Sequence, residues 1–343
     1  RTCRRQLIAK GADVAAYNTT ENALDFVALR RALRIRQWNV FGISYGTDLA
    51  LRLMKADPTG IRSVTLDSTV PTAVVTLPRL WANARAGVDA VFTACNAQPA
   101  CAKAYPHLQS TFNTLVSQLE AHPNVTTVPL PTGGSVRVVL DGGALLNWLV
   151  SISEATPLFT QVPADISALA AGNALPIDET RVAGVTPAGY LDYGLLYGVL
   201  CQEWAPFASA RAVLTAGRRA FPTYPVSVLS QAPQFPYFNA ICRAWNVPPA
   251  PASFRTPTRS RIPTLIFSGT FDAITSRAWA EDAARTLPNS TVVRIAGVGH
   301  YVLPESQCAQ SIQASFLAHP NHPRTACARR VTPPPFAITP SPS

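Results

Sequence analysis

The chain has 343 residues, of which 48% are hydrophobic and 14% are charged, which is the composition of a globular protein with a sizeable core. No apolar run is long enough to span a membrane. The formal net charge of +10 comes almost entirely from arginine, but no nucleic-acid-binding motif accompanies it. Basic charge alone therefore does not indicate a protein that binds DNA or RNA.

The first clear pattern in the chain is a helix over residues 20–35. Apolar residues recur at helical spacing and predict its buried face: Leu24, Val27, Ala28 and Ala32. The densest group of arginines lies on and just after this helix: Arg30, Arg31, Arg34 and Arg36. We expect these arginines to form a solvated face rather than a site for an anionic partner.

The sequence Gly42-Ile43-Ser44-Tyr45-Gly46 lies between a strand pattern over residues 38–43 and a helix pattern over 47–55. A G-x-S-x-G motif in this context is a nucleophile elbow, which holds its serine in a strained backbone conformation at a tight turn. Gly42 and Gly46 are expected to give the neighbouring chain room to pass. We predict that Ser44 is the nucleophile and that the backbone N–H of Tyr45 donates to an oxyanion.

The acid and the base follow in the order that the elbow predicts, serine, then acid, then histidine. A buried strand over residues 262–268 leads into the loop that contains Asp272, and a strand over 291–296 leads into the loop that contains His300. Reactive groups collect at the carboxyl ends of strands in open α/β sheets. We therefore predict that His300 accepts the serine proton and that Asp272 orients the imidazole.

A second carboxylate competes for the role of the acid. Asp67 ends a strand over residues 61–66 and could reach the same histidine, because the acid of a triad is recognised by its geometry and not by its position in the chain. We favour Asp272 as the acid. The other interpretation of Asp67 is an aspartate that caps a loop.

Roughly two hundred residues separate the strands at 61–66 and 262–268, which is too long for a loop without structure of its own. A possible strand over 135–140 and four helical patterns predict a cap over the sheet, the helices covering residues 81–95, 107–121, 143–152 and 208–220. We expect a group of aromatic residues to lie in the cap core, with one or two lining a pocket: Tyr190, Tyr193, Tyr197, Trp204 and Phe207.

The seven cysteines indicate disulfide bonds and hence an oxidising compartment. Six of them separate into local pairs, Cys95 with Cys101, Cys201 with Cys242 and Cys308 with Cys327, which leaves Cys3 unpaired. Free buried thiols are the alternative. No C-x-x-C knuckle or pair of histidines supports a metal site.

The segments 16–20, 38–44, 66–68 and 269–275 resemble the tripeptidyl aminopeptidases, and the resemblance extends over nearly the whole chain. This family belongs to the proline-iminopeptidase-like branch of the α/β-hydrolases and has a characteristic C-terminal region. The resemblance implies a parallel sheet with flanking helices and a large, mainly helical cap inserted before the strand that bears the acid. Together with the long insertion and the composition of the last residues, it divides the chain into core residues 1–70, cap residues 71–257, core residues 258–328 and a Pro/Ser-rich disordered tail over 329–343.

The resemblance implies the same nucleophile, acid and base as the motifs. Members of the family tend to have a cysteine followed two residues later by an acid in the cap, and Cys201-Gln202-Glu203-Trp204 is similar. An exopeptidase must bind a free N-terminal ammonium group, for which a carboxylate in a part-buried cleft is a suitable partner. We predict this role for Glu203, with an ordinary surface glutamate as the alternative.

The chain departs from the family before the elbow. Four strands normally precede the elbow strand, and a loop among them donates the second N–H to the oxyanion, whereas about forty residues precede Ser44 here. We expect an N-terminally truncated chain in which a signal peptide, the partner of Cys3 and the first strands are missing. The elbow strand would be an exposed edge, and the chain alone would be poorly soluble and at best weakly active.

We expect a secreted serine exopeptidase that hydrolyses peptide bonds near the free N-terminus of peptides. No cofactor, metal, nucleic acid or membrane is implied, and a full-length protein is expected to be a monomer. An esterase with the same triad and a fragment without turnover are the alternatives. Right-handed crossovers predict a parallel sheet in the spatial order 38–43, 61–66, 262–268 and 291–296.

Overall fold

The structure is a computed structural model that describes residues 1–185 and 191–339. Its first part alternates helices and strands: α1 (Thr2–Ala9), α2 (Thr19–Ala32), β1 (Trp38–Ile43), α3 (Tyr45–Ala56) and β2 (Ile61–Asp67). The side chain of Asn18 caps α2 by accepting a hydrogen bond from the backbone N–H of Glu21. The elbow motif is the connection between β1 and α3.

The middle of the chain is mainly helical and contains one antiparallel hairpin. Its elements are α4 (Thr76–Ala97), α5 (Pro99–Ala104), α6 (Leu108–Ala121), β3 (Asn124–Pro129), β4 (Ser135–Leu140), α7 (Gly142–Ser151), α8 (Val162–Ala170), α9 (Leu175–Ala183), α10 (Tyr193–Val199), α11 (Ala210–Ala220), α12 (Val226–Leu229) and α13 (Phe238–Trp245). The four predicted cap helices and the predicted strand are confirmed as α4, α6, α7, α11 and β4. A π-helical turn over Leu200–Trp204 follows α10.

The last part returns to the sheet. It contains β5 (Thr264–Gly269), α14 (Arg277–Ala284), β6 (Ser290–Ile295), α15 (Val302–Glu305) and α16 (Gln307–Ala318). The four strands pair in parallel in the order β1-β2-β5-β6, as the crossover rule predicts. Every residue of β5 is buried, because this strand has a neighbour on each edge and helices on both faces.

The elbow strand lies at the edge of the sheet. Among the described residues, β1 pairs with β2 alone. The side chain of Phe41 is 48% exposed, while Val40 and Ile43 are half-buried. The expectation of an edge strand with poorly covered apolar residues is confirmed.

The buried face of α2 differs from the predicted one. Ala23 and Val27 are buried in a core cluster with residues of α3 and β2, whereas Leu24 and Ala28 are exposed. Arg30 also departs from the expected solvated face, because its guanidinium binds the carboxylate of Asp57, with Nε 2.5 Å from Oδ2. This pair joins α2 to the turn that follows α3.

The predicted disordered tail is wrong for residues 329–339. A 3-10 turn covers Ala326–Arg330, and the chain then crosses the body of the protein. The ring of Phe336 is buried 6.4 Å from that of Phe271, centroid to centroid, and the Ala337 N–H donates to the Thr160 carbonyl at 2.8 Å. One buried aromatic ring and backbone hydrogen bonds anchor this Pro-rich segment. Residues 340–343 lie outside the described residues.

The aromatic residues near Cys201 divide between core and pocket. Tyr197 and Trp204 pack against the main cap cluster, and Tyr193 contacts Tyr197 at 5.7 Å between ring centroids. Phe207 lines a cavity. Tyr190 lies outside the described residues. Across the described ranges 1–185 and 191–339, no helix has both the length and the hydropathy needed to cross a bilayer.

Candidate active site

The elbow holds Ser44 in a backbone conformation that L-residues rarely adopt, with φ of 54° and ψ of −125°. Gly42 is required because a Cβ there would collide with the carbonyl oxygen of Gly46. The expectation that Gly46 also provides room is wrong, since a Cβ at Gly46 would meet no atom of the described residues within 4 Å. Tyr45 is the first residue of α3, so its N–H lies among the unpaired donors at the positive end of the helix.

The structure brings Ser44, His300 and Asp272 together. The Ser44 Oγ lies 2.7 Å from His300 Nε2, and the two carboxylate oxygens of Asp272 lie 3.2 and 3.3 Å from His300 Nδ1. His300 and Asp272 are each only 1% exposed, whereas Ser44 is half-buried and accessible. Since a carboxylate accepts at Nδ1, that nitrogen carries the proton and Nε2 is free to accept from the serine hydroxyl.

The Asp272 carboxylate is held in place by the loop that follows it. Its Oδ1 accepts from the N–H groups of Ile274 and Thr275 at 2.8 Å, and its Oδ2 accepts from the Thr275 hydroxyl at 2.6 Å. Burial acts to raise the pKa of Asp272, but the His300 charge and these hydrogen bonds hold the pKa below its ordinary value. Asp272 is therefore ionised at neutral pH.

Asp272 sets the basicity of the imidazole. Burial alone would lower the pKa of His300, but the charge and the hydrogen bond of Asp272 raise it above the ordinary 6.5. Thr275, whose hydroxyl lies 3.2 Å from His300 Nδ1, contacts both residues and was not recognised from the sequence. Its position three residues after Asp272 is the sequence signal for this role, because residues at that spacing can hydrogen-bond an aspartate side chain in a turn.

A residue of the cap joins the loops of the acid and the base. Ser153 lies in the 3-10 turn Ile152–Glu154 after α7 and is fully buried. Its Oγ donates to the Phe271 carbonyl at 3.2 Å and accepts from the Ala273 N–H at 3.0 Å, on either side of the acid. Its carbonyl oxygen accepts from the His300 N–H at 2.5 Å. Ser153 therefore fixes the backbone of both loops, and nothing in the sequence indicated this.

Replacing Ser153 with alanine should lower kcat about tenfold and leave KM unchanged, because two buried hydrogen bonds at the acid loop are lost while the substrate site is untouched. The acid limb of the pH profile should move to lower pH, since a looser Asp272 raises the pKa of His300 less. Ser151, at the end of α7, provides the matched control Ser151→Ala. Equal kinetics for the two variants would contradict this positioning role.

Asp67 has a different environment from Asp272. Its carboxylate accepts from the N–H groups of Val302 at 3.2 Å and Leu303 at 2.8 Å, at the start of α15. Burial raises the pKa of Asp67 to about 6, although these hydrogen bonds oppose the shift. No hydrogen bond joins Asp67 to the His300 ring within the described part of the chain. Asp67 thus caps the helix that follows the histidine loop.

Glu203 binds the start of α2. It is 3% exposed, its Oε1 accepts from the Thr19 N–H at 2.7 Å and its Oε2 accepts from the Thr19 hydroxyl at 2.5 Å. The Thr19 hydroxyl in turn lies 3.1 Å from the hydroxyl of Tyr45. Both carboxylate oxygens are engaged inside the protein, so the alternative of an ordinary surface glutamate is wrong. Its role toward a substrate ammonium group stays a prediction.

Glutamine at position 203 should change how stability depends on pH. Burial raises the pKa of Glu203 to about 7 from 4.5, so the folded state gains stability from the bound proton below pH 4.5 and loses it as the pH rises through about 7. Relative to wild type, Glu203→Gln should gain about 3 kcal/mol in the free energy of unfolding between pH 4.5 and pH 8. Urea unfolding at both pH values measures this. The same gain in the exposed variant Glu179→Gln would contradict the assignment to Glu203.

The disulfide pairing is the predicted one. Cys95 bonds to Cys101, Cys201 to Cys242 and Cys308 to Cys327, and within the described residues Cys3 is free and exposed. The bond between Cys201 and Cys242 joins the turn that carries Glu203 to α13. Three disulfide bonds are typical of proteins from oxidising compartments outside the cytosol.

Comparison with known proteins agrees with this architecture. Residues 230–328, which include Asp272 and His300, match the family model described as TAP-like protein. The chain has the α/β-hydrolase fold. A strained serine between strand and helix, and an acid and a histidine after the next strands of a parallel sheet, define this fold at its site. None of the curated proteins matches the chain.

Several solved structures are similar to this α/β-hydrolase at low identity. Proline iminopeptidase from Mycobacterium smegmatis has 15% identity and a TM-score of 0.39, over 90% of this chain and 74% of that one. The putative non-heme bromoperoxidase BpoC from Mycobacterium tuberculosis has 16% identity and a TM-score of 0.37, over 88% and 74%. An esterase from Thermogutta terrifontis has 15% identity and a TM-score of 0.33, over 89% and 74%. Their names describe different reactions, so they do not select a substrate for this chain.

Proposed function

We propose that this α/β-hydrolase is a serine exopeptidase that cleaves peptide bonds near a free N-terminus. The observation that carries the proposal is the hydrogen bond of 2.7 Å between Ser44 Oγ and His300 Nε2, with Asp272 on the other ring nitrogen. His300 takes the proton of Ser44 as the hydroxyl attacks the scissile carbonyl, and then gives that proton to the leaving amine. Water hydrolyses the acyl-enzyme by the same route in reverse.

The Tyr45 N–H supports the oxyanion of the tetrahedral intermediate in this proposal. It belongs to the residue directly after the nucleophile and opens α3, so the helix dipole adds to its hydrogen bond. The side chain of Tyr45 has a separate role. Its hydroxyl contacts Thr19 and Asn22, and burial raises its pKa to about 12, so it remains protonated.

Specificity for a free N-terminus requires a carboxylate near the triad. Glu154 follows Ser153 in the cap turn, is exposed, and lies close enough to interact electrostatically with both His300 and Asp272. Glu154 directly follows Ser153, whose carbonyl accepts from the His300 N–H, whereas both oxygens of Glu203 are engaged by Thr19. In this proposal Glu154 is therefore favoured over Glu203 as the partner of a substrate ammonium group.

Three substrates test this function: a tripeptide p-nitroanilide with a free amino group, its N-acetylated form and p-nitrophenyl butyrate. We expect kcat/KM to be about tenfold or more higher for the free amine than for the acetylated peptide, because one charge-assisted hydrogen bond is lost on acetylation. Equal rates for both peptides would exclude recognition of the amine. Turnover of the ester alone would identify an esterase.

Two variants test which carboxylate binds the substrate ammonium group. Glu154→Gln should raise KM for the free amine about tenfold and leave KM for the acetylated peptide unchanged. Glu203→Gln is the matched control, and we expect its KM to equal that of wild type. The opposite pattern would return the role to Glu203.

The pH dependence of kcat/KM should have an acid limb with its midpoint above 6.5, because neutral His300 is the base and Asp272 raises the pKa of that histidine. Activity is therefore lost as the pH falls through this value. In Asp272→Asn, burial remains while the largest of the negative charges that raise the pKa of His300 is removed, so the midpoint of the residual activity should move to lower pH. A midpoint that does not move would contradict the coupling of His300 to Asp272.

A further inference from the structure

A cavity of about 1240 Å³ lies between the cap and the core, apart from the triad. The helices α4 and α11 of the cap contribute to its lining, and so do α14 and the segment around Arg255. None of Ser44, Asp272 and His300 lines it. We name this cavity the arginine groove because of its charged residues.

The arginine groove is strongly basic. Among the residues that the structure describes, six arginines and a single acid, Asp282, line it: Arg79, Arg85, Arg211, Arg219, Arg255 and Arg285. Asp282 binds two of these arginines, with its Oδ2 2.9 Å from Arg79 Nη2 and its Oδ1 2.9 Å from Arg285 Nη1. Arg85 pairs with Asp89, whose carboxylate lies outside the lining, with Nε 2.6 Å from Oδ2. The other three arginines leave the groove positively charged.

Three of the arginines have no carboxylate partner among the described residues. Arg211 and Arg219 are exposed on α11. Arg255 donates from Nη2 to the Ala73 carbonyl at 3.1 Å, and its guanidinium carbon lies 5.4 Å from the ring centroid of Phe207. The Nε of Arg255 is buried without a hydrogen-bond partner in the described structure. A planar guanidinium with unused donors suits a carboxylate or a phosphate.

The remaining surface of the groove is largely apolar. Val74, Ala82 and Ala216 line it, together with Phe207 and Pro257. Sugars, nucleic-acid backbones and inorganic polyphosphates have no side chains to bury on such a surface. A peptide that carries both acidic and apolar side chains can satisfy the arginines and cover the apolar residues together.

We propose that the arginine groove binds an acidic peptide segment. Arg211 and Arg219 are eight residues apart on one helix, which separates them by about 12 Å along its axis. Residues i and i+4 of an extended peptide are about 13 Å apart. A segment such as Glu-Ala-Leu-Ala-Glu therefore places one carboxylate at each arginine, and its leucine, two residues from each glutamate, points to the same face. This site is independent of the proposed hydrolysis.

The binding experiment uses the full chain with Ser44→Ala, so that no probe is cleaved. The probe is a fluorescein-labelled peptide that contains Glu-Ala-Leu-Ala-Glu, and its binding is followed by fluorescence anisotropy. We expect Arg211→Glu and Arg219→Glu each to weaken binding about fivefold or more, because each variant replaces an attraction with a repulsion. Arg218→Glu changes the same charge at the next position of α11 but does not line the groove, so binding should stay within about twofold of the parent. Thermal unfolding followed by circular dichroism shows that the variants are folded.

Three further results support or overturn the binding of an acidic peptide in the arginine groove. Binding that is lost when both glutamates of the probe are replaced by glutamine supports it. Equal weakening by Arg218→Glu and Arg219→Glu would overturn it in favour of general attraction to a basic surface. Tighter binding of inorganic tripolyphosphate or of single-stranded DNA than of the peptide, with the same dependence on Arg211 and Arg219, would overturn the peptide as the ligand.

Discussion

Ser44→Ala should lower kcat for the free-amine tripeptide amide by about 10⁴-fold or more, to the level that binding and the remaining oxyanion donor support without a nucleophile. The hydroxyl is irreplaceable because it forms the covalent intermediate and exchanges a proton with His300. The free energy of unfolding should change little or rise slightly, since alanine occupies the strained turn in the same way as serine. The variant is compared with wild type by p-nitroaniline release under single-turnover conditions.

Ser311, exposed on α16, provides the matched control for this substitution. Ser311→Ala should retain the activity of wild type. If Ser44→Ala retained activity above a few per cent of wild type, another nucleophile would have to perform the reaction.

The variants Asp272→Asn and Asp67→Asn should differ strongly in kcat. Asparagine at position 272 offers an amide in place of the carboxylate that holds the Nδ1 proton, so His300 takes the wrong tautomer and kcat falls by about 10⁴-fold. Asparagine at position 67 keeps one oxygen that can accept from an N–H group at the start of α15 and loses only the other hydrogen bond, away from the His300 ring, so kcat should fall about tenfold or less. The two substitutions are chemically identical and both sites are buried.

Rates for the two variants are measured on the same substrate, with near-ultraviolet circular dichroism to compare their tertiary structure. A loss in Asp67→Asn that equals or exceeds the loss in Asp272→Asn would identify Asp67 as the acid. That result would also require a rotation of the imidazole away from the arrangement described above.

The parts of the site that the sequence predicts are those that depend on local patterns. The strand-to-helix turn at Ser44, and the loops after two buried strands that carry Asp272 and His300, each have a signature within a few residues. The order of the strands follows from the handedness of crossovers. The disulfides were predicted because each pair of cysteines is isolated in its own stretch of the chain.

The parts that the sequence did not predict depend on contacts between distant segments. Ser153 is an unremarkable serine at the end of a cap helix until the fold places it between the two triad loops. Glu203 finds its partner in Thr19, which is 184 residues away. Phe336 orders a Pro-rich tail because the body of the protein offers it a pocket beside Phe271. Composition and periodicity carry no information about such pairs.

Labelling of Ser44 by a fluorophosphonate probe in the folded wild-type protein tests directly whether the triad is functional. The probe reacts with a serine only when a base activates the hydroxyl and a donor stabilises the developing oxyanion. We expect mass spectrometry to locate the label on Ser44, with labelling retained in Ser311→Ala, abolished in His300→Ala and abolished by prior denaturation. A folded wild-type sample with no label on Ser44, or a label on another serine, would contradict a working triad of Ser44, His300 and Asp272.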